Sequence, residues 1–179
     1  APQKRQKKEA GKKAGKEKGK DMSGLAGTNA VVQVGFVVKD IYETKKKWAQ
    51  FLGVEEPPVG DSGEYAVTRT QYKGEEAPGA KSLLAFFNFP GFQIELIQPN
   101  EEPSTWREFL DTHGEGMHHL AFEVGGMRME QAIENCRDFG MTLEQKGEYA
   151  DGSGRYAYLS AEKDLKVAVE LLESDLKKG

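Results

Sequence analysis

Apolar and polar positions fall into two recurring patterns along this chain. "VVQVGFVVKD", from Val31 to Asp40, alternates as a strand does, and Asp40 with Glu43 makes a capping box for the next segment. In "IYETKKKWAQFLG" the apolar residues Ile41, Tyr42, Trp48, Phe51 and Leu52 fall mainly on one face at helical spacing, and Gly53 suits the residue just past the end. Further on, "HHLAFEV" reads as a strand, and "MRMEQAIENCRDFG" sets Met129, Ala132, Ile133, Cys136 and Phe139 at helical spacing before Gly140. Strand then helix therefore occurs twice. At an offset of 86, Gln33 lines up with His119, Phe36 with Phe122 and Val38 with Val124, the mark of a duplicated module.

Three strands are predicted after each helix. They are "GEYAVTRTQ", "KSLLAFFNF" and "FQIELIQP" in the first half, and "MTLEQKGEY", "RYAYLSA" and "KVAVELLES" in the second. The chain is thus α+β, built from two βαβββ modules at residues 28–100 and 117–175. A connecting helix at 101–116 would be capped by Ser104 and stopped by Gly114.

Charge separates one further segment. Residues 1–21 carry nine Lys/Arg and three Asp/Glu, about +6, so the rest carries about −10 of the net −4. That stretch has no aromatic or β-branched residue, and residues 1–27 are expected to be a disordered basic tail or linker. An acidic folded part, and lysines without interleaved aromatics, exclude nucleic acid as the main partner. No apolar run approaches the roughly 20 residues of a membrane-spanning helix, so no membrane insertion is expected. Ala1 rather than Met opens the chain, which leaves a cytoplasmic and a periplasmic or secreted location both open. A single cysteine, Cys136, allows no intrachain disulfide and no thiolate zinc site. Any metal must therefore sit on nitrogen and oxygen ligands.

Such ligands stand at equivalent places in the two halves. Glu95 in "QIELI" and Glu170 in "AVELL" each interrupt an apolar strand, opposite in face to Ile94 and Leu96 and to Val169 and Leu171. On an isolated strand each would look to solvent. Their equivalent placement, each with a polar partner on its module's first strand (Gln33 and His119), argues that the four converge. Two carboxylates, an imidazole and an amide oxygen suit Zn, Ni or Co, with Mn possible. Without a cation, one of two facing buried carboxylates would have to hold a proton. Successive strand residues point to opposite faces, so only one of His118 and His119 can enter the site.

Other residues read as supporting structure. Trp48 and Trp106 sit at helical spacing as core or interface anchors, and His113 at a helix end complements the dipole. "DGSGRYAYL" fits a lid over the site or a plain hairpin, with Arg155 a candidate contact for an anionic substrate; Lys81 in the loop before "SLLAFF" is another.

"HHLAFEV" with "VELLE" about fifty residues later resembles the vicinal oxygen chelate superfamily, over nearly all of residues 30–172. The resemblance implies a cupped, eight-stranded mixed sheet around one divalent metal. It selects His119 as the ligand and leaves His118 as a supporting residue. "IELIQPNEEPSTWREFLDTHGEGMHHLAFEV" resembles methylmalonyl-CoA epimerase, whereas the ligand order Gln33, Glu95, His119, Glu170 is similar to that of eukaryotic-type glyoxalase I (lactoylglutathione lyase). Both imply a small carbonyl or thioester substrate, a homodimer, and proton transfer at the carbon beside a carbonyl; the resemblance to glyoxalase I makes Glu170 the shuttle, with Glu95 assisting. A non-catalytic small-molecule-binding member, of the bleomycin-resistance type, is the third reading.

Overall fold

The computed structural model describes residues 24–177; the expected tail, apart from its last four residues, lies outside them. The first half runs β1 (Val31–Val37), α1 (Ile41–Leu52), β2 (Gly60–Asp61), α2 (Tyr65–Thr68), β3 (Gln71–Tyr72), β4 (Glu75–Glu76), β5 (Ser82–Phe89) and β6 (Phe92–Pro99). After α3 (Thr105–His113) come β7 (Gly116–Glu123), α4 (Met129–Phe139), β8 (Thr142–Glu148), β9 (Gly154–Ser160), α5 (Glu162–Leu165) and β10 (Ala168–Ser174). The strands form one mixed sheet in the order β2-β5-β6-β1-β7-β10-β9-β8-β3-β4. Each module contributes four of the expected eight strands, and the β3–β4 hairpin adds two more at the far edge. The modules join where β1 and β7 pair antiparallel, so one chain builds the whole cup.

The helix boundaries match their caps. Asp40 accepts a hydrogen bond from Glu43 N at 3.0 Å, and Gly53 closes α1 in the left-handed region at φ 68°. Ser104, fully buried, accepts from Arg107 N at 3.0 Å and starts α3, which ends at Gly114. Helix α1 packs on the outer face of the first module, around Val38, Ile41, Phe87, Ile94 and Leu96. Helix α4 does the same for the second, around Ile133, Cys136, Leu159, Val169 and Leu171. Tyr42, Phe51 and Phe139, expected on these apolar faces, are exposed instead. At about 100° per residue, each falls on a flank of its stripe rather than its centre.

Two expectations are corrected. The strand predicted over "GEYAVTRTQ" is broken: Gly63 (φ 96°) and Arg69 (φ 47°) take left-handed conformations on either side of the short α2. This segment carries the chain from β2 at one end of the sheet to β3 at the other, which straight extended chain would not do. The crossing brings Gly63 against the turn between β8 and β9, where a Cβ on Gly63 would lie 2.8 Å from Ala150 Cα. Residues 24–27, placed with the tail, instead dock on the second module: Gly125 N donates to Ala26 O at 2.9 Å, and Asn135 Nδ2 to Leu25 O at 2.9 Å.

Arg155 belongs to the outer face. Its guanidinium pairs with Glu173 at 3.1 Å and Asp175 at 2.9 Å, and Glu173, nearly fully buried, accepts from Met129 N at the start of α4 at 3.0 Å. A carboxylate at that helix end answers its unpaired N–H groups and dipole. Arg155→Ala strands the Glu173 charge and should cost about 2 kcal/mol, discounted for partial exposure. Chemical denaturation reads that loss, and metal binding should be unchanged.

Candidate metal centre

Strand alternation directs Gln33 on β1, Glu95 on β6 and Glu170 on β10 to the concave face, and His119 on β7 meets them there. All four are buried. His119 Nε2 lies 2.9 Å from Glu170 Oε2 and 3.4 Å from Glu95 Oε2. The Gln33 amide oxygen lies 3.0 Å from the same Nε2, and that amide end is 3.2 Å from Glu95 Oε2 and 3.0 Å from Glu170 Oε2. Glu95, His119 and Glu170 form a buried trio of metal-ligating type.

An acceptor aimed at two carboxylates is an arrangement that a cation satisfies. Turning the Gln33 amide over would let its nitrogen donate to both acids; with its oxygen inward, the amide instead offers a ligand atom to a cation. Gln33 Nε2 donates to Gln93 Oε1 at 2.5 Å, and Gln93 Nε2 donates to Asn88 Oδ1 at 2.7 Å. Burial, then the facing Glu170, pushes the Glu95 carboxyl well above its usual range. The donor set therefore fits a divalent ion, which would relieve this repulsion.

His118 corrects the expectation about opposite faces. Between β1 and β7 the register jumps from Gly35↔His119 to Phe36↔Met117, leaving His118 as the extra residue of a bulge. Both imidazoles consequently pack on Tyr158, at centroid distances of 5.3 and 5.1 Å, and their Nδ1 atoms are 3.0 Å apart. Burial and then the His119 ring hold His118 well below the usual histidine range, so it is neutral. With the His119 Nε2 lone pair facing inward, its Nδ1–H donates to His118 Nδ1, and His118 Nε2–H points to Thr105 Oγ1 at 3.4 Å. With a metal on His119 Nε2, His118 would thus fix the tautomer and orientation of His119.

Sequence reasoning missed Gly35. A Cβ there would lie 2.0 Å from His119 Cε1 and 2.6 Å from its Nε2, so the imidazole rests directly on the bare backbone of β1. A glycine inside an otherwise apolar strand was the one signal for it. Trp106, expected as an anchor, is buried, but it also borders the cup and donates from Nε1 to Tyr158 Oη at 3.0 Å. The structure places neither expected substrate contact in the cup: Arg155 is on the outer face, and Lys81 pairs with Glu64 at 2.7 Å. His113 stacks on Phe109, 4.8 Å between centroids, at the end of α3.

A curled sheet made from two modules thus holds a buried Gln-Glu-His-Glu cluster in its hollow, three of whose side chains could bind a metal ion. The chain belongs to the Glyoxalase/Bleomycin resistance protein/Dioxygenase superfamily, whose sequence profile matches residues 32–158. No curated protein matches it. Among solved structures, a hypothetical protein from Bacillus halodurans C-125 is similar at 23% identity and TM-score 0.57, over 81% of this chain and 94% of the other. Methylmalonyl-CoA epimerase from Mycobacterium tuberculosis is similar at 20% identity and TM-score 0.56, over 80% and 87%. The Streptomyces coelicolor epimerase, solved in complex with 2-nitronate-propionyl-CoA, gives 20% and 0.56 over 80% and 96%. At these identities the likeness is one of fold. Among the described residues no helix is long and apolar enough to cross a membrane.

Gly35→Ala should displace the His119 ring. Overpacking of this kind costs about 1–3 kcal/mol, read as a lowered melting temperature, and metal affinity should fall with it.

Proposed function

We propose that this chain is a metal-dependent enzyme of the glyoxalase I kind, a lyase or isomerase that moves a proton at the carbon beside a carbonyl. The observation that carries the reading is the convergence of four buried ligand side chains from both modules on one point. Gln33, Glu95, His119 and Glu170 would hold one Zn, Ni or Co ion, with Mn also compatible. Such an ion, when bound, supplies Lewis-acid polarisation of the substrate carbonyl.

The protein's own part is proton transfer. Glu170 takes the proton from the carbon and returns it, and Glu95, on the strand across the seam, offers a second carboxylate. A carboxylate displaced from the ion in a dry pocket becomes more basic, which brings it nearer the working pH of a general base. Gln33 stays neutral, so the ion keeps more of its charge than a third carboxylate would leave it. His119, positioned by His118, completes the set. An epimerase-like racemisation, with Glu95 and Glu170 removing and returning the proton, is the second reading, supported by the fold shared with the solved epimerases. One chain supplies every ligand, so a homodimer would add to this site rather than complete it.

The experiment is to strip the protein, reload it with Zn, Ni, Co and Mn in turn, and measure bound metal. About one equivalent per chain is expected. Glu170→Gln and His119→Ala should each weaken binding by about 100-fold or more, while His118→Ala should keep the metal with at most about tenfold weaker affinity. Hydrogen–deuterium exchange at the substrate carbon, followed by NMR across hemithioacetals, α-hydroxyketones and 2-methyl-branched acyl-CoA compounds, then reports the chemistry. Absence of metal under every loading would sink the enzyme reading and leave a binding protein. Wild-type loading by His119→Ala would show that the wrong histidine was chosen.

A further inference from the structure

The hollow above the cluster has a volume of about 480 Å³, within the range of small-molecule sites. Its walls carry five aromatic side chains: Phe86, Trp106, Tyr149, Tyr156 and Tyr158. The hydroxyls of two are already engaged, Tyr158 by Trp106 and Tyr156 by Gln145 Nε2 at 3.3 Å. Besides Glu95 and Glu170, the ionisable carboxylates bordering it are Asp61, Glu148 and Asp151. Among the described residues, no lysine or arginine borders it.

Arg155, Lys81 and Lys73 are paired elsewhere, and Arg69 lies over the Tyr65 ring, 5.9 Å from its centroid. Arg155 holds Glu148 at 3.3 Å from the outer side, together with Glu173 and Asp175. Lys81 is on Glu64, and Lys73 on Glu108. Asp61 and Asp151 are not neutralised by any of these: each accepts a backbone N–H, from Gly63 at 2.8 Å and from Ser153 at 2.9 Å. Ser153 holds the Asp151 carboxyl below its usual range, so it is charged at neutral pH. A divalent ion balances Glu95 and Glu170 and no more, which leaves the mouth of the cup negative. An anion entering it would lose water without gaining a counter-charge.

We infer that the cup takes an uncharged, ring-bearing carbonyl compound and disfavours substrates carried on phosphate- or carboxylate-rich groups such as coenzyme A or glutathione. This rests on the proton-transfer reading for its carbonyl, and on the aromatic walls and acidic mouth for its charge and shape. Ring faces stack on tyrosine and tryptophan, and nothing among the residues bordering the mouth pairs with a phosphate.

The test uses the full chain loaded with zinc, its metal content measured first. 2-Hydroxyacetophenone is titrated against its para-carboxylate analogue, which keeps the same ketone and hydroxyl, with propionyl-CoA and S-lactoylglutathione alongside. Calorimetry and tryptophan fluorescence track binding. The neutral ketone should bind at least about tenfold more tightly than the carboxylate. Asp151→Asn, alone and with Asp61→Asn, should narrow that gap at least about threefold by improving binding of the anion. Equal or tighter binding of the carboxylate, propionyl-CoA or S-lactoylglutathione would overturn the inference, as would a zinc-loaded protein that binds no ketone. A protein that takes up no metal overturns the proton-transfer reading instead, and the same neutral-against-anion comparison on that protein still decides the charge preference of the cup.

Discussion

The imidazole of His119 rests on Gly35, and this one contact sets the geometry at the seam between the modules. β1 and β7 pair there, and each also pairs with the strand that bears its own module's glutamate, β6 and β10. A side chain at position 35 would occupy the place of the ring. The ring would then leave its contact with Glu170 and Gln33, and the bulge that brings His118 beside it would lose its purpose. Backbone pairing of β1 with β7 and the buried cluster of Val37, Ile97, Trp106 and Tyr158 hold the two modules together; the missing Cβ is what lets their ligands reach one point.

That point is costly without a counter-charge. Two buried carboxylates meet at one imidazole nitrogen, and burial, then the facing Glu170, pushes the Glu95 carboxyl up. A cation, or an inward-turned Gln33 amide nitrogen, would relieve that cost. Gln93 and Asn88 continue the amide chain behind Gln33, and His118 and Thr105 stand behind His119. Around a cation, supporting bonds of this kind each strengthen a ligand.

Much of this was legible in the sequence, because its signals are local. Alternation in "QIELI" and "AVELL" put Glu95 and Glu170 on the face opposite their apolar neighbours, and the offset of 86 paired Gln33 with His119; the four do meet. Asp40, Ser104, Gly53 and Gly114 cap the helices they were expected to cap. What was not legible depends on partners distant in the chain. The bulge that turns His118 onto the same side as His119 exists only in the register with β1. The crossing of residues 62–70 is set by two sheet ends, and an alternating stretch read alone gives a strand. Arg155 looked like a substrate contact because its acids, Glu173 and Asp175, come from a different strand and the turn after it.

The charge pattern has its origin in the same two-faced sheet. On β9, Tyr156 and Tyr158 face the hollow while Arg155 faces α4, and on β10 Glu170 faces inward while Glu173 faces out. Period-two geometry thus separates the cations and their structural partners from the aromatic and acidic interior. Bringing a guanidinium into the cup from β9 would take a one-residue slip of that strand, which would also carry Tyr156 and Tyr158 out of it and expose Ala157 and Leu159 to the hollow. An anion-binding version of this site would therefore have to acquire its cation from the loops at the mouth, where Asp61 and Asp151 now stand.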